Sequence, residues 1–184
     1  MNENEGSTEP ELGFKGSLVQ SGVKVSSHES VEELSKKGYG IDESGVWLLS
    51  FYEALFLLGK GRLEIEDDKG EIVDFQRLLH IFEDDDEDAW IKYLTYRDLR
   101  SRGYVVRKGF GLAVDFRVYD RGEYGKDTAK YLVVSVQEGK PLPLENLVKI
   151  LRHCQSQKKK LILAVMNRRG EIVYYSISQL NMKE

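Results

Sequence analysis

Between Tyr104 and Ile177 the spacing of apolar residues changes from two to about 3.6 and back to two, which limits the folds open to this chain. Tyr104–Arg107 and Leu112–Tyr119 alternate as two antiparallel strands turning at Gly109 or Gly111, and Tyr131–Val136 reads as a third. Leu144, Leu147, Val148, Leu151 and Cys154 then fall on one side of a helix over 144–154. Leu161–Met166 and Ile172–Ile177 follow as strands joined by the turn Asn167-Arg168-Arg169-Gly170. Short strands cannot hide their apolar sides alone, so this order predicts a central mixed sheet with a helix packed on it, an α/β (α+β) domain over 103–184.

The first half carries shorter elements. Phe14–Val25, broken by Gly16 and Gly22, reads as a hairpin, Ser30–Lys37 as a helix stopping at Gly38, and Val46–Leu48 as a strand. Ser50 followed by Glu53 is a capping box for a helix that carries Ala54, Leu55, Leu57 and Leu58 and ends at Gly59. Arg62–Glu66 alternates as a strand before the turn Asp68-Lys69-Gly70, and Phe75–Phe82 is helical. Together these make a small mixed α/β domain over 13–86, with a connecting helix over 87–102 that sends Trp90, Tyr93, Leu94 and Leu99 toward a core. Residues 1–12 lack hydrophobic periodicity and read as a disordered tail, and the chain has no internal repeat.

Charge separates the two halves. Residues 1–96 hold 9 Lys/Arg against 22 Asp/Glu, and residues 97–184 hold 18 against 9, an asymmetry that the net charge of −4 conceals. A basic half suits a polyanion, because lysine and arginine opposite phosphates release condensed counterions. Any chain divided at a chosen point shows some imbalance, so charge alone leaves that reading open. The acidic run Glu83–Asp88 has no glycine and ligand alternation of a calcium loop and reads as a solvated cap on the next helix. The longest apolar stretches, such as Ala54–Leu58 and Leu161–Met166, are far shorter than the roughly 20 residues a span needs, and the start, MNENEGSTEPE, is acidic where a signal peptide is basic. The expectation is a soluble cytoplasmic protein without a membrane partner. The single Cys154 excludes an internal disulfide and a multi-cysteine zinc site, and reads as a buried thiol.

Period-two alternation sends Val114, Phe116 and Val118 to one face and Asp115, Arg117 and Tyr119 to the other, where they can meet a ligand. Lys158, Lys159 and Lys160 enter the strand after the helix, either as solubilising charge or, if the sheet gathers these segments, beside that tyrosine and arginine. No phosphate-binding loop occurs, Gly109-Phe110-Gly111 is too short for a dinucleotide fingerprint, and His28, His80 and His153 lack metal-ligand spacing. A metal-dependent nuclease would want a Glu-x-Lys where the strand instead reads Val133-Val134-Ser135-Val136-Gln137. Ile172–Ser178 is apolar on both faces, fitting either a buried strand or one that pairs with another subunit.

The stretch YLTYRDLRSRGYVVRKGFGLAVDFRVY (Tyr93–Tyr119), followed by DRG, YLVVSVQEGKPLP, KKKLILAV and GEIVYYSIS, resembles the archaeal tRNA-intron splicing endonuclease family in order, spacing and wording. Residues 14–66, notably YEALFLLGKGRLEI, resemble its N-terminal domain. The resemblance implies a small mixed N-terminal domain, a nuclease-like C-terminal domain and assembly into a homo- or heterotetramer or its equivalent. It implies precursor tRNA with a bulge-helix-bulge as substrate, and cleavage without metal or other cofactor to a 2′,3′-cyclic phosphate and a 5′-OH.

By the same resemblance, Tyr119 matches the family's general base toward the ribose 2′-OH, and Lys159 the lysine that stabilises charge on the phosphate oxygens, with Lys158 and Lys160 in reserve should the register slip. The family histidine falls at Thr128, which cannot donate a proton as an imidazolium does. Two readings stay open: a structural, non-catalytic subunit of a heteromeric enzyme, or a catalytic one in which Lys126, Lys130 or water protonates the leaving oxygen. Arg152 matches the arginine of the family's base clamp and Tyr174 lies near its second position, while Arg117, Lys158 and Lys160 are further RNA-binding candidates. Read without the family, Arg152 is equally a salt-bridging residue at a helix end. The family's acidic inter-subunit loop corresponds to Gln137-Glu138-Gly139-Lys140-Pro141, which holds one acid.

Overall fold

The structure is a computed structural model that describes residues 13–111 and 113–180, so the tail expected over 1–12 lies outside the described residues. In chain order the elements are β1 (Phe14–Val19), β2 (Gly22–Val25), α1 (His28–Lys36), β3 (Ile41–Glu43), β4 (Val46–Leu49), α2 (Phe51–Gly59), β5 (Leu63–Glu66) and α3 (Phe75–Asp85). Then come α4 (Ala89–Ser101), β6 (Val105–Lys108), β7 (Phe116–Tyr119), β8 (Tyr131–Gln137), α5 (Leu144–Ser156), β9 (Lys160–Met166) and β10 (Ile172–Ile177). The strands form two mixed sheets, ordered β3-β4-β2-β1-β5 and β10-β9-β8-β7-β6, each with one parallel pair, β1 with β5 and β8 with β9. Among the described residues no helix is long and apolar enough to cross a membrane.

Helix α4 joins the halves physically. Its residues Tyr93, Leu94, Tyr96 and Leu99 are buried in one core that takes Leu55 and Phe56 from α2, Leu78 and Phe82 from α3, and Phe116, Val118 and Val133 from the second sheet. Tyr52 meets Phe116 edge-on at 5.1 Å and Tyr96 at 4.9 Å, so an aromatic cluster fills the junction. Helix α5 covers the opposite side of that sheet with a smaller core of Leu132, Val134, Ile150, Cys154 and Leu161. The Cys154 thiol is buried, and burial raises its pKa.

A buried ion pair reinforces the junction. Glu53, 5% exposed, accepts from Ser50 N at 2.9 Å, Ser50 Oγ at 2.7 Å and Gly40 N at 3.1 Å, and its carboxylate lies 3.7 Å from Arg107 of β6. Arg107 also donates to Gly38 O at 2.9 Å, and Arg100 of α4 donates to Lys37 O at 3.1 Å. The α1–β3 loop is thereby tied to the second half. Gly38 takes φ +72 there, and a Cβ would stand 2.5 Å from Val105 Cγ1 and 3.1 Å from Tyr124 Cε1, so the close approach requires glycine.

Several expectations need correction. Trp90 is 39% exposed and Leu144 73% exposed, because Tyr96 and Ile150 take the core-facing positions on their helices. Helix α3 continues through Glu83–Asp85, so half of the acidic run is its last turn rather than a cap on α4. The rest is answered by lysines: Asp86 pairs with Lys92, and Lys140 from the β8–α5 loop reaches Asp88 at 2.8 Å and Glu87 at 3.2 Å. Strand β7 starts only at Phe116, which breaks the alternation expected from Val114. Asp115 instead turns toward α4, where it accepts from Ser135 N at 2.6 Å and lies 3.5 Å from Lys92, while Val114 joins the α5 core.

Candidate active site

The end of β7 and the starts of β8 and β9 lie side by side, because β7 runs antiparallel to β8 and β8 parallel to β9. Lys130 N donates to Val118 O and Lys160 N to Lys130 O, both at 3.0 Å, which extends the ladder past the strand ends. The register sets Arg117, Leu132 and Leu161 in one row, on the face that packs against α5. Side chains alternate, so Tyr119 and Lys159, each two residues from that row, share the face. One strand separates them, or about 10 Å between backbones.

Each group has a defined neighbour. The half-buried Tyr119 ring meets Tyr124 edge to face at 5.1 Å, and Tyr124 in turn lies against Gly38 of the first half. Lys159 Nζ donates to Ala129 O at 2.6 Å, leaving two of its three protons for another acceptor. Arg117 Nε donates to Lys108 O at 2.9 Å, and burial holds its guanidinium below the usual range.

Beside this row a cleft of about 610 Å³ is lined by Asp120, Arg121, Glu123, Asp127, Thr128, Ala129, Lys130 and Lys158. Thr128 is exposed, with its N–H on Asp127 Oδ1 at 2.6 Å. Lys130 is held by Asp120 at 2.6 Å, and this hydrogen bond and charge raise its pKa, making it a poorer proton donor. The three lysines separate: Lys158 lines the cleft at φ +55, Lys159 points to Ala129 O, and Lys160 pairs with Tyr131 in a row on the opposite face.

Two candidates lie apart. Arg152 is on the exposed side of α5. Tyr174 is on the α4 face, its hydroxyl donating to Asp98 at 2.7 Å and its ring 5.7 Å from the Arg102 guanidinium carbon. Burial and the carboxylate push its pKa far up. Sequence reading missed Phe110 and Tyr124. Only glycine-flanked Phe110 carried a signal, an aromatic in a tight turn. Among the described residues no three His, Cys, Asp or Glu side chains are grouped to hold a metal ion.

The family model for the tRNA intron endonuclease N-terminal domain matches residues 14–79, and that for the catalytic C-terminal domain matches residues 89–174. A tRNA-splicing endonuclease of Methanococcus vannielii is 32% identical over 94% of this chain and 98% of its own length. One from Methanococcus maripaludis is 30% identical over the same shares, and one from Sulfurisphaera tokodaii is 33% identical over 91% and 99%. A longer tRNA-splicing endonuclease of Methanococcoides burtonii is 30% identical over 92% of this chain, which spans 48% of it. With both domain models in order and relatives matched over nearly their whole length, the chain belongs to the tRNA intron endonuclease family.

Proposed function

We propose that this chain is a catalytic subunit of a tRNA-splicing endonuclease that cuts precursor tRNA at bulge-helix-bulge junctions. The observation that carries this is the register: Tyr119 and Lys159 stand on one face, at one end of the sheet, with a single strand between them. A ribose and its 3′-phosphate lie across that strand, whose Lys130 shares the row and is drawn aside to Asp120. Tyr119, as phenolate, takes the proton of the 2′-OH, and the 2′-oxygen attacks the adjacent phosphorus. The bond from phosphorus to the 5′-oxygen breaks, leaving a 2′,3′-cyclic phosphate and a 5′-OH. The two free N–H groups of Lys159 face the charge that grows on the non-bridging oxygens. Lys130 is engaged by Asp120, which leaves Lys126 or water to protonate the 5′-oxygen. Arg152 serves the RNA from the exposed side of α5, and Tyr174 serves the fold by fastening β10 to α4.

The exposed edge supports a multi-subunit assembly. Among the described residues strand β10 pairs only with β9, and its Val173 and Tyr175 are exposed. The charges of the β8–α5 loop are engaged within the chain, Lys140 with Glu87 and Asp88 and Glu138 with Arg168 N, so assembly here rests on the strand edge rather than on that loop.

Thr128 favours a second reading, a subunit that binds RNA and completes another chain's site. Cleavage of a bulge-helix-bulge precursor by the purified protein in excess chelator separates the two. The catalytic reading expects cyclic-phosphate ends from the protein alone. The scaffold reading expects none until a histidine-bearing relative is added.

A further inference from the structure

Phe110 lies in the β6–β7 turn with 63% of its surface exposed, an unusual place for a phenyl ring. One side of the ring is covered. The Arg117 guanidinium carbon sits 3.7 Å from its centroid, close enough for flat stacking. The guanidinium is itself held by the bond from Nε to Lys108 O at 2.9 Å, so the stack has a fixed base. The turn is tight: Gly109 N donates to Asp115 O at 2.8 Å, and a Cβ on Gly109 would stand 2.0 Å from Val114 O.

We infer that Phe110, backed by Arg117, is a stacking platform for an unpaired RNA base on the sheet face that carries Tyr119. The inference rests on the proposed RNA-cleaving function. Three observations favour a nucleotide base over a protein side chain. Arg117 lies two residues from Tyr119 on the same strand face and its guanidinium reaches toward Lys108 O and the turn, so the platform shares that face at the other end of the hairpin. The charge displayed beside the ring is the Arg117 guanidinium, because Asp115, the acid of this turn, faces Lys92 and Ser135 on the other side, where Lys108 also lies. The ring is open on one side and backed by a cation on the other, which suits a ligand both aromatic and anionic. Base-aromatic stacking tolerates any base, so the platform would grip a bulge without reading its sequence.

The test compares Phe110→Ala, Phe110→Trp and the wild type in binding and single-turnover cleavage of a bulge-helix-bulge precursor, and of the same RNA with one abasic bulge position at a time. Phe110→Ala should weaken binding roughly tenfold, with the melting temperature nearly unchanged. Phe110→Trp should restore binding, and its added indole fluorescence should be quenched by RNA. One abasic position should cost the wild type the same factor and cost Phe110→Ala nothing more, the signature of a shared contact. Wild-type affinity in Phe110→Ala, or a change in its subunit number without a change in RNA binding, would overturn the platform and leave the endonuclease reading standing. A wild type that neither binds nor cuts the precursor would overturn both.

Discussion

The two faces of the second sheet use the same residue types for different ends. On the α4 face Tyr174 is bonded to Asp98 and overlain by Arg102, while Phe116, Val118 and Val133 are sealed in the core. On the α5 face, past the end of the helix, Tyr119 has an edge-on ring contact and Lys159 bonds one carbonyl. A tyrosine beside a carboxylate in a buried setting is held neutral, because both influences oppose the phenolate. A tyrosine on the same face as Arg117 and Lys159 stands among cations. Position on the sheet, more than residue type, sets what surrounds each tyrosine.

The contrast can be broken first by stability. Phe116→Ala, on the sealed face, should cost about 3–5 kcal/mol in denaturant unfolding, since it empties the space against Tyr52 and Tyr96. A loss under about 1 kcal/mol would mean that the α4 core is not what holds the halves together. A smaller effect is expected on the open face. Thr128→His should raise the single-turnover rate near neutral pH up to roughly 100-fold, because an imidazole with pKa near 6.5 can protonate the leaving 5′-oxygen. An unchanged rate in a protein that still binds precursor would point to the scaffold reading.

The smallest effect concerns Asp115. Burial raises its carboxyl pKa, with Ser135 N–H and Lys92 opposing. A carboxyl whose native pKa lies above its unfolded value adds stability below the ordinary carboxylate range, near about pH 4, and withdraws it as the pH climbs through the raised value. Asp115→Asn should therefore flatten the melting temperature from about pH 4 upward, relative to the wild type. A steeper profile in the variant would contradict the direction of the shift.

Much of this architecture is legible in the sequence, because α5, β9 and β10 follow clean periodicity and the turn Asn167–Gly170 is spelled in turn residues. Asp115 was not legible. Its side depends on a turn with Gly111 at φ +50 and Ala113 at φ +56, which delays β7 to Phe116 and voids the alternation counted from Val114. The Glu53–Arg107 pair was hidden because two charges distant in the chain give no local pattern. Phe110 looked like part of an incomplete glycine motif, and its role as a ring on a guanidinium exists only once the hairpin closes.

The central claim is that the open face of the second sheet carries the chemistry and the α4 face does not. Single-turnover cleavage of a bulge-helix-bulge precursor in chelator, by Tyr119→Phe beside Tyr174→Phe, tests it most directly. Tyr119→Phe should lose about 10²–10⁴ in rate with its melting temperature unchanged, and Tyr174→Phe should cleave at the wild-type rate although somewhat less stable. Equal rates for the two variants and the wild type, or a loss confined to Tyr174→Phe, would contradict it.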